Sequence, residues 1–178
     1  MSLGDSKTTV AWAWPLVVNL TVASGLPWSP ANGGVGGSTV ASYAALLQSK
    51  LAEFPTGEPP FVKVLCNWGV NDINFSPVEA TWKANYLSII DGVSAKWPNA
   101  TMYLTRPWRR GYAAQCDTLA GWIDDIVAAR PGVAFVGDDE RIWMENGDDG
   151  ATMTYDGIHY SAAGNAEKAA QMLTVLGY

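Results

Sequence analysis

The sequence predicts an α/β fold with a mostly parallel sheet, and two patterns carry that prediction. The short runs Phe61–Cys66, Thr101–Thr105 and Val133–Val136 are apolar or rich in β-formers and are bounded by Pro, Gly or Asn. Around them lie stretches whose apolar residues recur at helical spacing, the mark of one-sided helices. Strands that alternate with helices assemble as right-handed β-α-β units, which give a parallel sheet covered on both faces.

The helical stripes can be read in order. Thr8–Leu20 is largely apolar and reads as a helix beginning near Ser6, with Pro15 inside it. Val40, Tyr43, Ala44, Leu47 and Leu51 form the next stripe. Trp82, Tyr86, Ile89, Ile90, Val93 and Trp97 form another, ended by Pro98. Leu119, Trp122, Ile123, Ile126 and Val127 follow, then Ala166, Ala169, Ala170, Leu173 and Leu176. The segment before Gly34 carries Pro27 and Pro30, so it suits a strand only at a sheet edge. No repeat, low-complexity tract or linker interrupts the chain, and residues 1–178 read as one domain.

At 178 residues and 48% hydrophobic, the chain can bury a sizeable core. Lys+Arg 11 against Asp+Glu 17 leaves a net charge of -6, which disfavours nucleic acid and anionic membrane surfaces as partners. No apolar run is long enough to span a bilayer. Only Met1–Leu3 precede Gly4, so there is no room for a signal peptide, though one could have been removed. Compartment and oligomeric state stay open. Cys66 in a strand-like run and Cys116 in a loop-like one make no disulfide framework. His159 is the single histidine, so a zinc site is not expected. The acidic stretch Gly137–Glu140 and the pair Asp148-Asp149 lack EF-hand spacing and read as solvated loops.

Histidine is the side chain whose ordinary chemistry suits proton transfer near neutral pH. His159 stands in Asp156-Gly157-Ile158-His159. A working histidine base needs an acceptor to hold its tautomer and a nucleophile to deprotonate. Asp156 and Ser6, the latter within Gly4-Asp5-Ser6-Lys7-Thr8, are the candidates, and they read as a triad in chain order Ser, Asp, His. Each piece has an ordinary alternative. Asp5 or Ser6 could cap a helix, Asp156-Gly157 could be a turn, His159 could be structural, and Gly33–Gly37 could be a flexible loop. Position favours the functional reading, because ligands bind outside the carboxyl ends of parallel strands. Gly69-Val70-Asn71-Asp72 and Arg106-Pro107-Trp108-Arg109-Arg110 each follow a strand, and Asp156–His159 precedes the last helix.

Together these segments resemble the SGNH (GDSL-type) hydrolase family, named for a serine, a glycine, an asparagine and a histidine in successive blocks. Gly4, Asp5, Ser6 and Thr8 match the first block, Gly-Asp-Ser-x-Thr. Asn32, Gly34 and Gly37 match Asn-x-Gly-x-x-Gly, and Gly69, Asn71 and Asp72 match Gly-x-Asn-Asp. Asp156 and His159 match the last block, Asp-x-x-His. The resemblance implies a flavodoxin-like, three-layer αβα sandwich with about five strands. It also implies Ser6 as nucleophile, His159 as base and Asp156 as its orienting partner. The implied oxyanion hole comprises the backbone N–H groups of Ser6 and Gly37 and the side-chain amide of Asn71. No cofactor or metal is implied, and Asp72 reads as a structural partner of its own loop. Two departures stand out. Lys7 replaces the leucine of the nominal signature, at a position that varies. The strand ahead of the nucleophile is a stub, so it is either very short or completed by residues ahead of Met1.

Trp82, Trp97 and Trp122 lie on helical stripes and are expected in the core. Trp68 and Trp108 flank strand ends, where with Arg106, Arg109 and Arg110 they would suit stacking on a sugar ring. The expected activity is hydrolysis of short-acyl, chiefly acetyl, esters of a small molecule or glycan. Lipase, lysophospholipase or thioesterase chemistry is the alternative within the family. A non-catalytic sugar-binding module is a further alternative, disfavoured by the complete set of Ser6, Asp156, His159 and Asn71.

Overall fold

The computed structural model describes residues 1–8, 12–54, 63–145 and 152–178. Strands β1 (Ser2–Gly4), β2 (Lys63–Asn67), β3 (Thr101–Arg106) and β4 (Ala134–Asp139) form a sheet in that spatial order, every pairing parallel. The helices are α1 (Ala13–Ser24), α2 (Val40–Ala52), α3 (Glu79–Lys96), α4 (Ala113–Ala129), α5 (Glu140–Glu145) and α6 (Ala162–Val175). Phe61, expected to open the second strand, and Asp148-Asp149 lie outside the described residues.

The short strand ahead of Ser6 is paired along all three of its residues. Ser2, Leu3 and Gly4 pair with Leu65, Cys66 and Asn67 of β2. On the other edge, Ser2 N–H donates to Ala31 O (2.8 Å), Gly33 N–H to Ser2 O (2.9 Å) and Val35 N–H to Gly4 O (2.9 Å). The backbone groups a short central strand would orphan are thus satisfied on both sides. Asn32 makes one isolated parallel bridge to Ser2. That single bridge is the remnant of the fifth strand, which Pro27 and Pro30 keep from extending. Counted with it, the order is flavodoxin-like: the chain leaves β1 toward Asn32 and then crosses back to β2. β1 therefore lies at the switch point where such folds bind ligands.

Alternation along the strands sorts residues between two layers. Val64, Cys66, Met102 and Leu104 pack with the buried faces of α2, α3 and α4. Leu65 and Tyr103 point the other way, toward Leu16 and Leu20 of α1 and Met172 of α6. Several sequence expectations shift. α1 starts at Ala13, so Asp5 and Ser6 lie in a turn ahead of it rather than on its cap. Pro15 falls in the first turn, where its missing N–H costs no helical bond. Cys116 lies on α4, not in a loop, and is buried. α6 is rotated from its alanine pattern: Ala166 and Ala170 are exposed, while Lys168, Ala169 and Met172 are buried. Gly137–Glu140 is no solvated loop. It ends β4 and opens α5, with Asp138 2% and Glu140 0% exposed. No described helix is long and apolar enough to cross a membrane.

Gly4 joins β1 to the turn that holds Ser6, and its lack of a side chain is a packing requirement. A Cβ there would fall 1.9 Å from Thr8 Oγ1 and 2.2 Å from the backbone oxygen of Asn67 in β2. Since β2 is central and cannot retreat, Gly4→Ala should lower stability by about 3 kcal/mol or more. Urea denaturation is the measurement, and an unchanged midpoint would show that the two strands have room to part.

Candidate active site

The serine turn is built by short backbone bonds. Asp5 N–H donates to Asn67 O (3.1 Å), Thr8 N–H to Asp5 O (3.0 Å), and Lys7 N–H to Asp5 Oδ1 (2.9 Å). Ser6 sits at the top of this turn, just past the carboxyl end of β1. Its partner arrives from the other end of the chain. Thr154 and Tyr160 form an antiparallel bridge, and Tyr155 N–H donates to His159 O (3.1 Å), closing a tight loop over Asp156–His159.

Within that loop Asp156 Oδ1 accepts the N–H groups of Ile158 (2.9 Å) and His159 (2.7 Å), which aims Oδ2 at the imidazole. His159 Nδ1 lies 2.6 Å from Asp156 Oδ2, and its Nε2 lies 3.0 Å from Ser6 Oγ. An ionised carboxylate only accepts, so the proton resides on Nδ1 and Nε2 is free to accept from the serine hydroxyl. Burial alone would raise the Asp156 carboxyl. The imidazole and the two backbone N–H groups outweigh it and hold the group at about 2. Asp156 therefore stays ionised throughout the neutral range. Tyr155 stacks on the imidazole, ring centroids 5.6 Å apart and planes 13° from parallel.

The second and third blocks are tied together. Asn71 Nδ2 donates one hydrogen to Ser38 O (3.1 Å) and carries a second. Gly37 adopts φ +73, a left-handed conformation that a side chain would strain. Asp72, 3% exposed, accepts Val40 N–H (3.1 Å) and Trp82 Nε1–H (3.0 Å) on Oδ1. It pins the third block to the first turn of α2 and to α3, so its partners lie on neighbouring helices and not, as the sequence suggests, within its own loop. Arg109 Nη1 donates to Val70 O (3.0 Å) and Asn74 Oδ1 (2.7 Å), and Arg110 N–H donates to Gly157 O (3.2 Å). The loop after β3 thus braces both the asparagine loop and the histidine loop.

The residues expected to grip a sugar do not do so. Trp68 is 0% exposed, packed between Tyr43 and Tyr86 with ring centroids 4.6 Å and 5.5 Å away. It continues the inward face of Val64 and Cys66, a period-2 signal visible in the sequence. Trp108 is also buried, among Trp12, Met144 and Tyr160. Arg106 is bound to Asp124 and, at 3.2 Å, to Asp139. What the rim does hold is a groove of about 440 Å³ that starts at Gly37 and is lined by Thr39, Phe75, Val78, Thr81 and Asn85. Phe75 and Val78 are 73% and 68% exposed.

Sequence reasoning also missed the polar centre beneath the site. Glu140 Oε2 accepts Lys7 Nζ (2.7 Å) and Trp108 N–H (3.1 Å). Its Oε1 accepts Asn67 Nδ2 (3.0 Å), Lys168 Nζ (3.1 Å) and the Tyr160 hydroxyl. Lys168 also donates to Asp138 Oδ1 (2.6 Å), and Lys7 to Trp108 O (2.8 Å). Burial alone would raise Glu140, but the two ammonium groups hold its carboxyl well below the usual range. The one available signal was Lys7 directly after Ser6, where the signature of the resembled family has leucine.

The chain belongs to the GDSL-like Lipase/Acylhydrolase family, whose model matches residues 2–167, and it is accordingly a carboxylic ester hydrolase. No curated protein gives a sequence match. Among solved structures, an acetylxylan esterase from Geobacillus stearothermophilus superposes with TM-score 0.78 at 17% identity, covering 99% of this chain and 93% of that one. TesA does so with TM-score 0.76 at 19% identity, covering 99% and 96%. A carbohydrate esterase family 3 protein from Talaromyces cellulolyticus gives 0.75 at 18%, covering 99% and 94%. At such identities the likeness establishes the fold.

Burial raises the Asp72 carboxyl from 3.8 to about 6, against the two N–H groups that bond it. Between those values the folded chain keeps a proton that the unfolded chain has released. Stability therefore falls as pH rises from about 4 to about 6, and the loss is complete above that. Asp72→Asn keeps the Oδ1 acceptor and removes this titration. Urea midpoints from pH 4 to 7 should show the decline between pH 4 and 6 reduced by about 2 kcal/mol. A decline identical to that of the parent would place the proton elsewhere.

Proposed function

We propose that residues 1–178 form one serine esterase domain that cleaves short-acyl, chiefly acetyl, esters of a polyhydroxylated small molecule or glycan. The observation that carries the reading is the continuous relay from Ser6 Oγ through His159 to Asp156, with contacts of 3.0 Å and 2.6 Å at an open rim. Ser6 Oγ attacks the ester carbonyl carbon as its proton passes to His159 Nε2. The oxyanion meets the N–H groups of Ser6 and Gly37 and the second amide hydrogen of Asn71. The imidazolium returns the proton to the departing alkoxide, leaving acyl-Ser6. Water, deprotonated by the same imidazole, then attacks the acyl carbon and regenerates the hydroxyl. Asp156 stabilises the transient imidazolium throughout. A purely sugar-binding module would have no use for this relay.

Support for a polyhydroxylated alcohol comes from the groove at Gly37. Thr39, Thr81 and Asn85 give it hydrogen-bonding groups beside the exposed ring of Phe75. That mixture suits a sugar ring, with Phe75 as the stacking face that Trp68 and Trp108 cannot supply. The same Phe75, with Val78, favours a second reading in which the groove holds a longer acyl chain.

Ser6→Ala should lower kcat about 10⁴–10⁶-fold with an unchanged circular dichroism spectrum. Turnover within tenfold of the parent would remove Ser6 from the mechanism. A panel of p-nitrophenyl esters separates the two substrate readings. On the first, kcat/KM falls from acetyl to butyryl and steeply by octanoyl. If it instead climbs, each methylene contributing up to about 0.8 kcal/mol, the groove is an acyl site and the lipase or thioesterase reading replaces the first.

A further inference from the structure

Ser6 and His159 lie 153 residues apart in sequence and must meet to a fraction of an ångström. The residues that follow each of them, Lys7 and Tyr160, converge on the same buried carboxylate. Lys7 Nζ reaches Glu140 Oε2 at 2.7 Å, and the Tyr160 hydroxyl bonds Oε1. Asn67, whose backbone oxygen holds Asp5, donates to Oε1 as well. Trp108, in the loop that braces both site loops, donates to Oε2. Lys7 and Glu140 are 0% exposed, so neither pairing is loosened by solvent.

We propose that Glu140 is a positioning residue that holds the serine turn and the histidine loop in register through Lys7 and Tyr160. It touches no substrate. A carboxylate suits this task better than packed aliphatic side chains, because its lone pairs fix direction as well as distance. Buried ion pairs add little to net stability compared with apolar residues of the same volume, so specificity of arrangement is what such a network can supply. Displacing reacting groups by about 1 Å can cost about 10²-fold in rate. The inference rests on the reading of Ser6 and His159 as nucleophile and base.

The test compares Glu140→Gln and Tyr160→Phe with the parent, using p-nitrophenyl acetate turnover and titration of reactive Ser6 with a fluorophosphonate. Dividing kcat by titrated sites removes any loss of folded protein. Glu140→Gln should lose about 10–100-fold in kcat per site with KM within about twofold, and Tyr160→Phe a smaller amount in the same sense. Lys7→Met combined with Glu140→Gln removes one charge of each sign, leaving Lys168 and Asp138 paired. It should regain much of the thermal stability lost by Glu140→Gln while kcat per site stays low. Recovery of kcat together with stability would overturn the inference and make the network structural only, as would kcat per site within twofold of the parent in both single variants. A parent chain whose Ser6 is not labelled would overturn the triad reading and this inference with it. A labelled, active parent confines any failure to the role of Glu140.

Discussion

Burying a carboxylate beneath the rim of the sheet costs several kcal/mol unless donors surround it, and Glu140 is surrounded. Its donors come from the turn after β1, the end of β2, the loop after β3, the histidine loop and α6. The serine turn and the histidine loop both answer to that one group, as do the end of β2 and the loop after β3. With Lys7, Lys168 and Asp138 the cluster brings together two basic and two acidic side chains that offset one another. Burial pushes Asp138 upward while Glu140 is held down, because Glu140 is the carboxylate that both ammonium groups address. Asp5 adds a further buried carboxyl, raised to about 7 by desolvation although the Lys7 ammonium opposes it.

The molecule divides accordingly into a dry, directional base and an open rim. At the rim Asp156 and His159 keep side-chain exposures of 40% and 30%, which leaves the serine accessible to an ester. Exposure usually implies mobility, and the loop counters it locally through the two N–H groups on Asp156 and the bridge between Thr154 and Tyr160. Arg109 and Arg110 add lateral bracing. Preorganisation of this kind lowers the reorganisation needed when charge develops on the oxyanion.

The exposed aromatic residues are distinct from the tryptophans of the core. The tryptophan content suggests a carbohydrate surface, yet Trp12, Trp68, Trp82 and Trp97 are at most 3% exposed and hold layers together. Among the exposed aromatic residues are Phe75, four residues past Asn71, and Tyr155, which stacks on the histidine. Solved structures that share the fold at 17–19% identity are consistent with a scaffold set by pattern rather than by particular side chains.

The sequence by itself determined the layered α/β architecture, because apolar periodicity is a local property and each stripe matches a helix or strand. The candidates Ser6, Asp156 and His159 were legible as well, because they sit in short motifs where spacing alone sets a turn, as in Asp156–His159. Only the tertiary structure decided which polar residues are buried. Lys7, Glu140 and Lys168 look like surface charges in any local window, and their pairing spans up to 133 residues. Likewise, α6 turns Lys168 inward in place of Ala166 because a fixed acceptor pair, Asp138 and Glu140, awaits it across the layer. Charge burial depends on partners distant in the chain, and no periodicity records them.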